Sequence, residues 1–169
     1  QKYCYAYVKI ALWRSGIVDG ILEKQAAKDA GPQLVKAGFT DISSSLPQVE
    51  VTYENVSGET LKHTQPDLTY SLPGDVIVYE QVAPVATDPA GHIDIRTYHG
   101  FVSDFINLRV FPALGVSGNK RYRVIGIYRK TSDLMSEARV KAFLRIIREH
   151  EAKGFEKPYN ALKWEGKKQ

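Results

Sequence analysis

The 169-residue chain has a single cysteine, Cys4, and a single methionine. One cysteine excludes an internal disulfide and any zinc site built from four thiolates. No apolar run is long enough to span a membrane, and no signal peptide is visible, so no membrane insertion is expected. Histidine is scarce, with four copies, which leaves few candidates for acid–base work near neutral pH. Neither charge sign dominates: 23 Lys and Arg stand against 19 Asp and Glu, a net charge of +4. That mild excess suits polyanionic partners in general, nucleic acid and bacterial cell wall among them. A nucleic-acid binder would cluster its basic residues with exposed aromatics. The nearest approach here is Arg121, Arg123, Arg129 and Lys130, which strand alternation explains as a solvated face, so no nucleic-acid partner is expected.

What is present starts at the N-terminus. Residues 5–16 read as an amphipathic helix closed by Gly16, with Cys4 in its first turn. Unpaired backbone N–H groups and the positive end of the helix dipole favour a thiolate there. A buried, inert thiol is the competing reading, since free cysteines are among the most buried residues. Lys24–Ala30 holds helix formers, Gly31-Pro32 interrupts them, and Gln33–Ala37 resumes. Val49, Val51 and Tyr53 alternate as a strand, and Glu59–Tyr70, which carries His63, reads as a loop. Leu72–Asp75 is a turn before the apolar strand Val76–Tyr79, of the kind buried on both faces. Val82–Ala90 reads as a surface loop. Gly91–Arg96 alternates, with His92, Asp94 and Arg96 on one face and Ile93 and Ile95 on the other. Phe101–Phe105 is the returning strand, and Arg121–Arg129 a further one. A helix followed by antiparallel strands is an α+β layout.

A cysteine on a helix start with a histidine on a facing strand is the papain-like arrangement. The pieces Cys4–Val8, Pro73–Tyr79, Gly91–Ile95 and Phe101–Phe105, in that order, resemble NlpC-type and CHAP-type amidohydrolases. Within that group they are most similar to amidases that bacteria inject into rivals by type VI secretion, and to phage-like relatives. The resemblance covers residues 1–130. It implies a cysteine-dependent amidase or endopeptidase with an N-terminal catalytic helix packed on an antiparallel sheet, acting on amide bonds of peptidoglycan stem peptides. It further implies secretion or delivery to the periplasm of a target bacterium, an immunity protein as an additional partner, and no cofactor or metal.

Cleavage through a thioester needs a thiolate, a histidine to pair with it and then protonate the leaving amine, and a group to orient the ring. Cys4 is the candidate nucleophile and His92 the acid/base; Gly91 would let the strand approach the cysteine helix closely. His63 and His99 fit solvated loops better. For the third member, parity decides, because a one-residue slip flips every side chain. A three-residue loop Tyr98–Gly100 sets Asp104 on the face of His92; the other parity sets Ser103 there. Asp104 is the choice, with Asp94 and Ser103 in reserve or as substrate contacts. The oxyanion hole would use the Cys4 N–H and a second donor, which the resemblance places in sequence ahead of Gln1.

Residues 131–169 break the strand pattern. Ser136 caps a helical pattern through Val140, Phe143, Leu144 and Ile147. Phe143–Glu151 with Tyr159-Asn160 resembles the opening of phage-type lysozyme domains, with Glu151 in the place of the general acid. The resemblance implies a parent protein that joins an amidase to a glycan-cleaving domain. A catalytically silent module holding cell wall or nucleic acid, and a protein-cleaving papain-like protease, are the alternatives.

Overall fold

In a computed structural model, the structure describes residues 3–23, 25–54, 58–83, 90–98, 100–104, 106–107 and 121–130. The expected helical segment 131–169, including Glu151, lies outside the described residues, as do His99 and His150.

The first helix, α1, spans Cys4–Arg14. Cys4, Val8 and Leu12, four apart and therefore stacked on one face, are buried together with Tyr5. The outward face is less polar than an amphipathic helix requires, because Tyr7, Ile10 and Trp13 are exposed on it. Gly16, at φ 73°, ends the helix as expected, its N–H donating to the Trp13 carbonyl at 3.0 Å. The helix formers of Lys24–Ala30 yield only a 3₁₀ turn at Ala27–Asp29. Helix α2, Gly31–Lys36, then starts with Pro32 in its first turn. There a missing N–H costs nothing.

Two antiparallel sheets follow. The larger has the order β1-β8-β4-β5-β6-β7, built from Phe39–Asp41 (β1), Val76–Ala83 (β4), His92–Arg96 (β5), Phe101–Val102 (β6), Ile106–Asn107 (β7) and Arg121–Lys130 (β8). The smaller pairs β2, Gln48–Glu54, with β3, Thr60–Pro66. The architecture is α+β, with few helices on mainly antiparallel sheet. Among the described residues, no helix is long and apolar enough to cross a membrane.

Several sequence expectations need correction. Glu59–Tyr70 is not a loop: seven residues of it form β3, whose polar alternating face is exposed, a pattern that burial-based reasoning overlooks. The central strand β4 runs on to Ala83, because β8 continues to supply it with partners through Arg121. β1 is a three-residue strand without an apolar signal of its own, recruited by pairing Phe39–Asp41 with Tyr128–Lys130.

The sheet separates two apolar clusters. One holds α1 and α2 side chains against Val76, Val78, Ile93 and Tyr128. The other gathers Leu68, Ile77, Tyr79, Phe101, Tyr122, Val124 and Ile127. Strand β4 feeds both, which is why Val76, Ile77, Val78 and Tyr79 are all buried. An ion pair locks the turn before β4: Arg129 Nε and Nη2 donate to the two oxygens of Asp75 at 2.7 and 2.6 Å. Asp75 Oδ2 also accepts the Leu72 N–H at 2.8 Å. Burial pushes the Asp75 carboxyl up, and Arg129 with that amide pulls it back only in part. The pair therefore fixes geometry more than it adds stability. On the far side, Lys130 Nζ donates to the carbonyls of Ile17 at 2.6 Å and Ala37 at 2.9 Å. This ties the end of β8 to the ends of both helices.

Candidate active site

Cys4 opens α1, where the first four backbone N–H groups have no partner within the helix. No acidic residue lies in the first turn and no side chain caps it from within. An acid arrives from elsewhere: Asp104 Oδ2 accepts the N–H of Tyr3 at 3.2 Å, a favourable place for a carboxylate.

His92 opens β5 directly after Gly91, whose φ is 66°. That conformation carries little penalty only for glycine. A Cβ on Gly91 would lie 2.3 Å from the Tyr79 carbonyl oxygen and 2.8 Å from Lys28 Cβ. The close approach that requires glycine is therefore to β4 and the 3₁₀ turn, and not to the cysteine helix as the sequence suggested. The alternation of β5 holds: Ile93 and Ile95 pack against the α1 cluster, while the His92 ring lies 5.6 Å from Tyr79 and 6.1 Å from Tyr122.

The carboxylate bonded to His92 is Asp94, its Oδ1 2.9 Å from Nε2. The register explains why it is not Asp104. Ile95 pairs with Val102 and Arg96 with Phe101, which leaves a four-residue loop, Thr97–Gly100. Thr97 closes it: its N–H donates to the Gly100 carbonyl at 2.7 Å, and its Oγ1 accepts the Gly100 N–H at 3.1 Å. An even loop sets Ser103, one step past Val102, on the side of Asp94 and turns Asp104 away. The expected parity was wrong because Thr97 belongs to the turn and not to the strand. Ser103 is buried and its Oγ donates to Asp104 Oδ1 at 3.2 Å. β6 itself is only two residues long, shorter than the Phe101–Phe105 strand expected. Its ladder reaches Ile95 and no nearer to His92.

Cys4 and His92 lie close enough for the thiol to act on the titration of the imidazole. Burial lowers the His92 pKa, but the hydrogen bonds to Asp94 and Cys4 and the charges on both outweigh it, so it is pushed up to about 10. The site is nearly dry, with Cys4 4% and His92 6% exposed, and a dry setting strengthens a thiolate–imidazolium attraction. Arg96, also buried on β5, lies 4.6 Å from the Phe101 ring centre and donates from Nη1 to the Gly100 carbonyl at 3.1 Å.

Other candidates lie apart from this row. His63 Nδ1 is 3.2 Å from Arg123 Nη1, and Arg123 also bonds Glu80. Burial and then the Arg123 charge hold the His63 pKa below its ordinary value. A groove of about 330 Å³ opens between residues 18–23 and α2, but neither Cys4 nor His92 lines it. Among the described residues, no group of three or more His, Cys, Asp or Glu is placed to hold a metal ion. Sequence reasoning missed Tyr79 and Tyr122 as the walls of the histidine. Tyr79 is the direct strand partner of His92, a pairing the sequence hides because it spans a loop of unknown register.

Fold and site thus define an α+β protein with a buried thiol–imidazole–carboxylate row. No protein-family model matches the chain, and neither a curated protein nor a solved structure matches it.

Proposed function

We propose that the protein is a papain-like cysteine hydrolase that cleaves amide bonds in peptidoglycan stem peptides. The observation that carries the reading is the row itself: a buried cysteine at a helix N-terminus, close to a histidine whose Nε2 is held by a buried carboxylate. The choice of peptidoglycan rests on the resemblance of the Pro73–Tyr79 and Gly91–Ile95 segments to NlpC-type and CHAP-type amidases. On that reading the chain acts in the periplasm of a target bacterium as an antibacterial effector or phage-like lysin, with an immunity protein as partner.

The chemistry follows from the residues. The Cys4 thiolate attacks the scissile carbonyl carbon, and the carbonyl π electrons move to oxygen. The Cys4 backbone N–H, one of the unpaired donors at the start of α1, serves the oxyanion that forms. The tetrahedral intermediate collapses as the C–N bond breaks, and the His92 imidazolium gives its proton to the departing amine. Neutral His92 then takes a proton from water, whose oxygen attacks the thioester; the C–S bond breaks to release the acid and the Cys4 thiolate, which restores the thiolate–imidazolium pair. Asp94 fixes the ring and stabilises its charged form through both steps.

The test is digestion of purified sacculi followed by mass spectrometry of the soluble fragments. The protein should release fragments cut at one amide bond of the stem. Cys4→Ala should release none, and His92→Ala should be slower by about 10²-fold or more. Full activity in either variant with wild-type unfolding would sink the hydrolase reading.

A further inference from the structure

One buried donor and one buried acceptor behind His92 are left over by the row. The Tyr79 hydroxyl and Asp94 Oδ2 are both buried, and neither makes a regular hydrogen bond. Both residues are 0% exposed, so bulk water does not satisfy these atoms. A buried polar group without a partner is costly. The two belong side by side: Tyr79 pairs with His92 across the β4–β5 ladder, and its ring lies 5.6 Å from the imidazole. Burial first, then the charge of Asp94 and the contact of the phenol with that carboxylate, raise the Tyr79 pKa well above its ordinary value. The phenol therefore stays neutral and keeps its proton to donate.

We propose that Tyr79 is a positioning residue, its hydroxyl holding Asp94 so that the other carboxylate oxygen stays on His92. Tyr79 touches neither thiol nor substrate in this role; it acts through Asp94. Its consequence for turnover rests on the hydrolase reading, but its effect on His92 does not. Among the described residues, the charged and titratable groups that act on His92 or Tyr79 are Asp94 and Arg96 on β5, Cys4 on α1 and, by ring contact, Tyr122 on β8. Arg96 works with the phenol, since it offsets the Asp94 charge that Tyr79 feels.

The experiment is an NMR titration of the His92 ring in a Cys4→Ser background, with and without Tyr79→Phe. Phenylalanine keeps the ring and removes only the hydroxyl. Without its second holder the carboxylate turns away from the imidazole for part of the time, so the His92 pKa should fall by about one pH unit. In the enzyme with Cys4 present, Tyr79→Phe should lower kcat roughly ten-fold and leave KM unchanged, the pattern of a lost transition-state interaction. An unchanged His92 titration, or one that moves upward because the phenol had been competing for the carboxylate, overturns the proposal. Should Tyr79→Phe not fold, the Tyr79 hydroxyl proton decides the matter. A slowly exchanging resonance in wild-type protein supports the proposal, and fast exchange with water refutes it. A protein that releases no peptidoglycan fragments yet shows the His92 shift would fail the hydrolase reading and keep this one.

Discussion

At the scale of residues, two aspartates ten positions apart in the chain do different work on one helix–strand junction. Asp94 touches the imidazole, whereas Asp104 touches the backbone of Tyr3 at the head of α1. Their amide variants should separate. Asp94→Asn keeps the shape but loses the charge that stabilises imidazolium, so turnover should fall by about 10²-fold with little change in substrate affinity. Asp104→Asn keeps an acceptor for the Tyr3 N–H and loses only its favourable interaction with the helix dipole, at a cost of about 0.5 kcal/mol. Urea melts beside initial rates distinguish the two. Near-normal rates for Asp94→Asn, with a collapse for Asp104→Asn, would restore Asp104 to the row. The sequence made this choice hard for a local reason. Both acids follow His92 closely, and the decision rests on whether Thr97 ends the strand or begins the turn.

Elements show the same division between what patterning reveals and what it hides. The cysteine helix, the doubly buried β4 and the alternation of His92, Asp94 and Arg96 were legible, because burial repeats at 3.6 or 2 residues. β1 and β3 were not legible. β1 owes its conformation to β8, and β3 buries so little that its composition resembles a loop. Lys24–Ala30 misled in the opposite direction, since helix propensity is a weak prior when the chain must turn into α2. Gly91 was recognised as special but assigned the wrong neighbour. Its substitution tests the strand it starts: Gly91→Ala meets both a positive φ and the Tyr79 carbonyl. It should destabilise the protein by more than about 1 kcal/mol and displace His92 enough to slow turnover further than the stability loss explains. Wild-type stability and rate in Gly91→Ala would show that the strand entry is looser than described.

For the whole molecule, the charge on His92 links the site to stability. Its folded pKa of about 10 lies above the ordinary value of 6.5. The folded state therefore holds the proton more tightly than the unfolded chain, and the resulting stability is complete below about pH 6.5. It drains away as pH rises toward about 10, where the folded group also loses its proton. His92→Gln cancels the background titrations in a comparison. The stability gap between wild type and this variant should narrow steadily from neutral to alkaline pH, as read from chemical denaturation at fixed ionic strength. A gap that widens with pH would mean that His92 is buried neutral and that no imidazolium forms in the resting site.

The strand order also has a consequence for how the protein is made. β8 lies between β1 and β4, pairing Lys130 with Phe39 and Tyr128 with Val76, while Lys130 clasps the carbonyl groups that end both helices. A chain emerging from the ribosome has already exposed Cys4, Gly91 and His92 when this strand is still unmade. Until it arrives, β1 has no neighbour and β4 has only one. Contacts so distant along the chain form late and slowly. The sheet that carries His92 is therefore completed only when β8 slots between β1 and β4.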